Sequence, residues 1–226
     1  MALSLRVDIV SDVLCPWCFI GSRRLSEVLR LDGSKFSSVD VNWHPYRLLP
    51  ANVAPARKVD FYKQKFGAEQ FQRAMGHVQH EGETCKIAFN YSESSMLGPS
   101  SDAHRLMAWI PKEKQSELMD ALFSAHHEQG KLISDAKTLE DCAAQVGLDR
   151  SKVAQFLKSD EGKRELEAAI PVAREAYNVM GGVPHFVFTI SGGASETRAI
   201  VSGAQHVDYF RLMLERAMKK AQAPAM

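Results

Sequence analysis

The sequence predicts an α/β fold: a strand–helix–strand opening and a strand–strand–helix ending, separated by a large all-helical insertion. Three observations predict it. Apolar residues alternate near both ends of the chain, the middle carries helical periodicity, and a Cys-Pro-Trp-Cys run directly follows the first strand.

In "LRVDIVSD", Leu5, Val7 and Ile9 alternate with Arg6 and Asp8, which gives a strand over 5–10 entering a loop at Ser11-Asp12. Leu25, Val28 and Leu29 then recur at helical spacing. Their helix starts near Cys15, where Pro16 suits a first turn that does not need its N–H, and ends before Asp32-Gly33. "VDVNWHPY" (39–46) alternates again as a second strand. After the linker "NVAPAR", helical patterns cover 59–81, 102–110, 114–129, 138–146, 150–158 and 160–179. Ala103, Leu106, Met107 and Ile110 share one face, and Pro111 stops that run. Thr138 with Asp141 resembles a capping box and Gly147 a helix-ending residue. Pro171 is expected to kink or break the last pattern. The Ser- and Gly-rich 82–101 is irregular, and loops of that length are often functional. "HFVFTI" (185–190) and "TRAIVSG" (197–203) form a hairpin, and a helix over 206–221 carries Val207, Phe210, Leu214 and Met218. The expected segments are therefore 1–47, the insertion 48–179, and 180–226.

Across 226 residues the net charge is +1, so no general positive field points to nucleic acid. No stretch approaches the roughly 20 apolar residues of a membrane span. "MALSLRVDIVSD" lacks a basic region before an apolar run and makes a poor signal peptide, so the cytoplasm is expected, with organelle import by another route left open. Four cysteines do not make a disulfide scaffold, and a close pair in a reducing compartment is more often catalytic or metal-binding.

Three readings compete for Cys15 and Cys18. Zinc wants four ligands, and there is one Cys-x-x-Cys with Cys85 and Cys142 isolated. Inert burial suits Cys142, which shares a helical face with Leu139, Ala143 and Val146, but not Cys15 at a strand-to-helix turn. The redox reading has a mechanism. A thiol at a helix N-terminus meets free N–H groups and partial positive charge, which stabilise its thiolate. The second sulfur, one turn on, can attack a mixed disulfide formed at the first. Trp17 can shield one side or line a substrate surface. A Cys-x-x-Cys after a strand in a βαβ setting is what a thioredoxin-like fold predicts. Far along the chain, "GGVPHFVF" leads a Val-Pro into a strand, the place of a cis-proline in such folds. There the backbone of Val183, before Pro184, can offer N–H and C=O to an extended substrate.

With "SDVLCPWCFIG", "HPYRLLP", "SDAHRLMAW", "GGVPHFVF" and "VSGAQ", the chain resembles the DsbA family, FrnE-like branch, over nearly its whole length. The resemblance implies a thioredoxin domain split by a helical insertion, thiol–disulfide exchange, Cys15 as attacking sulfur, Cys18 as resolving sulfur and Pro184 as cis-proline. It also implies glutathione or a thiol protein as electron partner, with no cofactor bound. Pro99 and Ser100 stand where relatives often carry Asn-Thr or Asn-Ser, which puts a substrate contact through that Asn in doubt. Kappa-class glutathione transferases and hydroxychromene-carboxylate isomerases are sister branches that present a serine near the Cys15 position.

The remaining candidates have plainer readings. His77, His80 and Glu81, and the run His126–Glu128, lack a further metal ligand at recognisable spacing. His104 reads as a packing residue beside the groove, His185 as a partly exposed spectator, and Asp12 as a loop or cap residue rather than a proton acceptor. The expected function is a thiol–disulfide oxidoreductase acting on a thiol- or disulfide-bearing protein or small molecule. Neither nucleic acid nor membrane is an expected partner; a homodimer is an open expectation. The alternatives are a glutathione-dependent transferase or isomerase on the same fold, and a chaperone-like binding protein using the groove.

Overall fold

The computed structural model describes residues 2–223. Residue 1 and residues 224–226, the outer ends of two expected segments, lie outside the described residues. Strands β1 (Ser4–Ser11), β2 (Ser38–Pro45), β5 (His185–Ser191) and β6 (Thr197–Ser202) form one sheet in the order β2-β1-β5-β6. β1 runs parallel to β2 and antiparallel to β5, with Ile9 opposite Phe186 and Val10 opposite His185. Helices α1 (Pro16–Asp32) and α9 (Val207–Gln222) cover one face of the sheet. The core there joins Leu5, Val7 and Ile9 to Phe186, Phe188 and Phe210. This is the period-two pattern of the sequence turned into one buried face.

Between β2 and β5 the chain forms α2 (Lys58–Phe66), α3 (Ala68–Thr84), α4 (Ser101–Trp109), α5 (Lys112–His127), α6 (Ala136–Gln145), α7 (Arg150–Lys158) and α8 (Lys163–Ala176). Their core holds Leu106, Leu118, Leu122, Phe123, Leu139 and Val153. Helix α1 belongs to both cores. Leu25 and Val28 face the sheet, whereas Phe19 and Ile20 enter the helical core, where Phe19 stacks on Phe123 at 5.1 Å between centroids. The helix that begins beside Cys15 is thereby fixed from two sides.

Four local expectations are corrected. The 59–81 pattern is two helices, because Gly67 adopts φ +82°, a conformation glycine takes at no steric cost, and separates α2 from α3. The irregular 82–101 segment contains β4 (Met96–Leu97), which pairs antiparallel with β3 (Ala56–Arg57). Pro171 lies inside α8 and does not break it; the residue is exposed, so water can satisfy the carbonyl that loses its amide partner. The α6 cap is Asp135, whose carboxylate accepts from Thr138 N–H at 3.0 Å, while Asp141 pairs with Arg150. Thr138 is thus the third helical residue rather than the cap. Beyond α6, Gly147 N–H bonds Ala144 C=O at 3.1 Å and Leu148 N–H bonds Ala143 C=O at 3.0 Å, a Schellman ending.

Candidate active site

Leaving β1, the chain enters a loop that a buried carboxylate holds. Asp12 is fully buried; it accepts from Leu14 N–H at 3.1 Å and from Leu48 N–H at 2.7 Å. Its backbone carbonyl accepts from Cys15 N–H at 3.0 Å, and His104 Nε2 stands 3.5 Å from its Oδ1. Asp12 therefore ties the cysteine loop to the segment after β2, with α4 behind it. This explains an acid where the buried Leu14 N–H would otherwise lack a partner.

Cys15 is the N-cap residue of α1, and its carbonyl accepts from Cys18 N–H at 3.0 Å and Phe19 N–H at 3.3 Å. Both cysteines are buried, Cys15 at 5% exposure and Cys18 at 1%, and both are free thiols. Burial is the main reason the Cys18 thiol is pushed well above its ordinary pKa, and the adjoining Cys15 sulfur adds to it. The Ser11 hydroxyl and Asp12 N–H facing Cys18 act in the opposite direction. Cys18 is thus held as a protonated thiol.

Cys15 belongs to the apolar core of the helical lobe, yet its sulfur also meets a polar group. Its sulfur lies 3.6 Å from the Val183 carbonyl oxygen, across 168 residues of chain. The Val183-Pro184 bond is cis. Pro184 C=O accepts from Gly203 N–H at 2.8 Å, and Gly203 has φ +77°, so the "VSGAQ" turn braces the proline from behind. Arg24, buried on α1, donates to Ala204 C=O at 2.6 Å and pairs with Glu81 of α3, tying the same turn to both helices. No described hydrogen bond uses the Val183 N–H.

Gly21 is a site residue that the sequence reading missed. A Cβ there would stand 2.9 Å from the Phe186 ring and 3.1 Å from Pro184 Cγ. The missing side chain is what lets α1 approach the proline strand. Gly21→Ala is expected to destabilise the fold by about 1–3 kcal/mol through overpacking. It should also slow disulfide exchange by shifting Pro184 relative to Cys15; thermal melts with an exchange assay check both, and unchanged values in both would refute the tight fit.

The other singled-out residues distribute differently. Trp17 is half-buried, packs edge-on against His77 with centroids 5.1 Å apart, and lines a cavity with Leu14 and Pro16. His185 is buried rather than partly exposed: its β5 position lies inside the sheet, and Nδ1 bonds the Ser202 hydroxyl at 3.0 Å. Burial holds that imidazole below its ordinary pKa. Cys142 stays apart from the site, with its sulfur 3.7 Å from Ala121 C=O and its thiol pushed up to about 11 by burial. Cys85 caps α3 beside Thr84.

The sheet order, the paired thiols and the proline loop can be set beside known proteins. The model of the DSBA-like thioredoxin domain matches residues 6–215. The chain belongs to the DSBA-like thioredoxin family. Among solved members of this fold, a probable DsbA oxidoreductase, SCO1869 of Streptomyces coelicolor, is similar with a TM-score of 0.82 and 23% identity, covering 98% of this chain and 93% of that one. The cytosolic disulfide reductase DsbM of Pseudomonas aeruginosa, also solved with GSH, is similar with a TM-score of 0.63 and 18% identity, covering 96% of this chain and 100% of that one. The uncharacterized protein YwbO of Bacillus subtilis strain 168 is 24% identical over 220 residues, 96% of this chain and 100% of YwbO. No described helix of the DSBA-like chain is long and apolar enough to cross a membrane.

Proposed function

We propose that this DSBA-like protein is a thiol–disulfide oxidoreductase that works through the Cys15–Cys18 pair. The observation that carries the reading is the Cys15 sulfur at the start of α1, 3.6 Å from the Val183 carbonyl. The Cys15 thiolate attacks one sulfur of a substrate disulfide. That S–S bond breaks, and the departing thiolate takes the bonding pair and a proton from water. Cys18 then gives up its proton and attacks the Cys15 sulfur, which releases the second substrate thiol and leaves the protein disulfide. Two glutathione thiols, or a dithiol protein, restore the reduced pair as their own disulfide forms. Run in reverse, the same steps oxidise a substrate dithiol. Burial suits Cys18 to the resolving role, because a protonated thiol does not compete for the first attack. The substrate strand lies along Val183-Pro184, taking the unused Val183 N–H, with Trp17 at the rim. We assign the protein to the cytoplasm, where thiol partners are abundant.

The test is a trap. In Cys18→Ser the first attack proceeds and the second cannot, so a mixed disulfide through Cys15 should accumulate and appear by mass spectrometry as an adduct removed by dithiothreitol. Turnover of a disulfide substrate at the wild-type rate without any adduct would overturn the assignment. So would conjugation of small electrophiles that is unaffected by Cys18→Ser.

A further inference from the structure

Beside the cysteines lies a cavity of about 270 Å³, small next to the roughly 300–1,000 Å³ of most ligand clefts. Leu14, Pro16 and Trp17, which flank Cys15 in sequence, form one wall, and Tyr62, Phe71 and Tyr91 contribute rings to it. Cys15 itself is not part of the lining, but its immediate sequence neighbours Leu14 and Pro16 are.

Three buried polar side chains line this apolar space, and all are incompletely satisfied. Lys58, 1% exposed, begins α2; its ammonium donates to His126 C=O at 2.7 Å and stands 5.7 Å from the centre of the Tyr91 ring. Among the described residues no carboxylate pairs with it. An ammonium has three donors, so two remain. Burial draws this amine down to about 8. His126 and His127 are buried, and burial, with the nearby Lys58 charge, holds both imidazoles well below their ordinary pKa. As neutral rings, each uses its N–H on a backbone carbonyl: His126 Nδ1 on Lys131 at 3.4 Å, His127 Nε2 on Val13 at 2.9 Å. His126 Nε2 and His127 Nδ1 are left buried without a partner.

An uncompensated ammonium and two orphan acceptors, walled by rings, are costly in an empty apolar pocket and useful in a filled one. The geometry points to a specificity pocket for a low-molecular-weight thiol or disulfide, whose sulfur meets Cys15 while a ring-sized apolar body and its carboxylate occupy this cavity. The carboxylate would take the two free Lys58 donors, and a hydroxyl or N–H beside it would supply an orphan imidazole nitrogen. This rests on the exchange reading above, and names the substrate class of that site. The reaction is unchanged: the Cys15 thiolate displaces one aryl thiolate, Cys18 displaces the second from the mixed disulfide, and the protein pair is oxidised as the aryl disulfide is reduced to two thiols.

The experiment compares 4,4′-dithiodibenzoate with its bis-amide as oxidants of the reduced protein, each rate normalised to the same oxidant with free mercaptoethanol. The wild type should favour the dibenzoate by on the order of ten- to a hundred-fold, as expected of hydrogen bonds to a charged group. Lys58→Met should bring the ratio close to unity. A wild-type ratio near unity, or one that survives Lys58→Met, would overturn the pocket. Calorimetry with Cys15→Ser gives a readout free of exchange chemistry and of any folding defect in the lysine variant. That protein should bind 4-(methylthio)benzoate more tightly than the corresponding benzamide, and equal or absent binding counts against the pocket. Hydroxyethyl disulfide separates the two claims. Exchange with it in a protein that shows no carboxylate preference sinks the pocket alone; carboxylate binding in a protein that exchanges with nothing sinks the redox reading alone.

Discussion

Replacing Cys15 by serine is expected to lower disulfide exchange by on the order of a thousand-fold or more, since the nucleophile itself is gone. The fold should not suffer. Cys15 is the N-cap residue of α1 and its side chain bonds no amide of that helix, whereas serine is among the favoured N-caps. Its hydrogen bond to the proline loop is a long S–H···O approach of 3.6 Å to Val183. Activity should therefore vanish while the melting temperature stays level or rises slightly. Turnover of hydroxyethyl disulfide beside a thermal melt measures both. An active Cys15→Ser protein would mean that another group does the chemistry.

The largest effect on stability is expected at Arg105 on α4. Its side chain is nearly completely buried. Nε and Nη2 donate to Glu161 C=O at 2.9 and 2.6 Å, Nη2 also to Ser159 C=O at 2.8 Å, and Nη1 to Asp102 at 2.6 Å. The guanidinium lies 5.0 Å from the centre of the Phe156 ring. One residue thus holds the turn between α7 and α8 against α4 through backbone acceptors that no other described hydrogen bond serves. Arg105→Ala leaves those carbonyls unpaired and opens a void, at a cost of about 3–5 kcal/mol. For a chain of this size the melting temperature should fall by on the order of 10 °C. Arg105→Lys should recover only part of it, because a single ammonium cannot reproduce the planar fork. A fall of less than about 2 °C in the alanine variant would show that this turn is held some other way. Arg30, which pairs with Glu27 at 2.7 Å on the exposed face of α1, makes the contrast: water screens such a pair, and its loss should leave the melting temperature almost unchanged.

Much of the sheet was legible because its residues report a local period. Leu5, Val7 and Ile9 alternate and end on one buried face. The β3–β4 ribbon was not legible, since two residues per strand carry no period, and pairing Ala56 with Leu97 is a decision of the tertiary fold. Asp12 could be read as a loop residue, but its second amide partner, Leu48, lies 36 positions away. Lys58 was invisible: nothing in "ARKVDF" marks a lysine that will be covered by α5. The two histidines did leave a signal. Leu118, Leu122 and Phe123 set the buried stripe of α5, and continuing it by helical steps reaches His126 and His127. Gly21 is harder, because a glycine that admits a neighbour looks the same in sequence as one that breaks a helix.

The separation of Cys15 from Val183 has a consequence for biosynthesis. A ribosome adding about 5–20 residues per second needs roughly 10–30 s to pass from one to the other. Through that interval the nascent polypeptide carries both thiols without the loop that will face them, so they stand open to the surrounding oxidant pool. Translation in a reducing milieu is what would keep the pair from closing prematurely or capturing a stray partner before the last forty or so residues emerge.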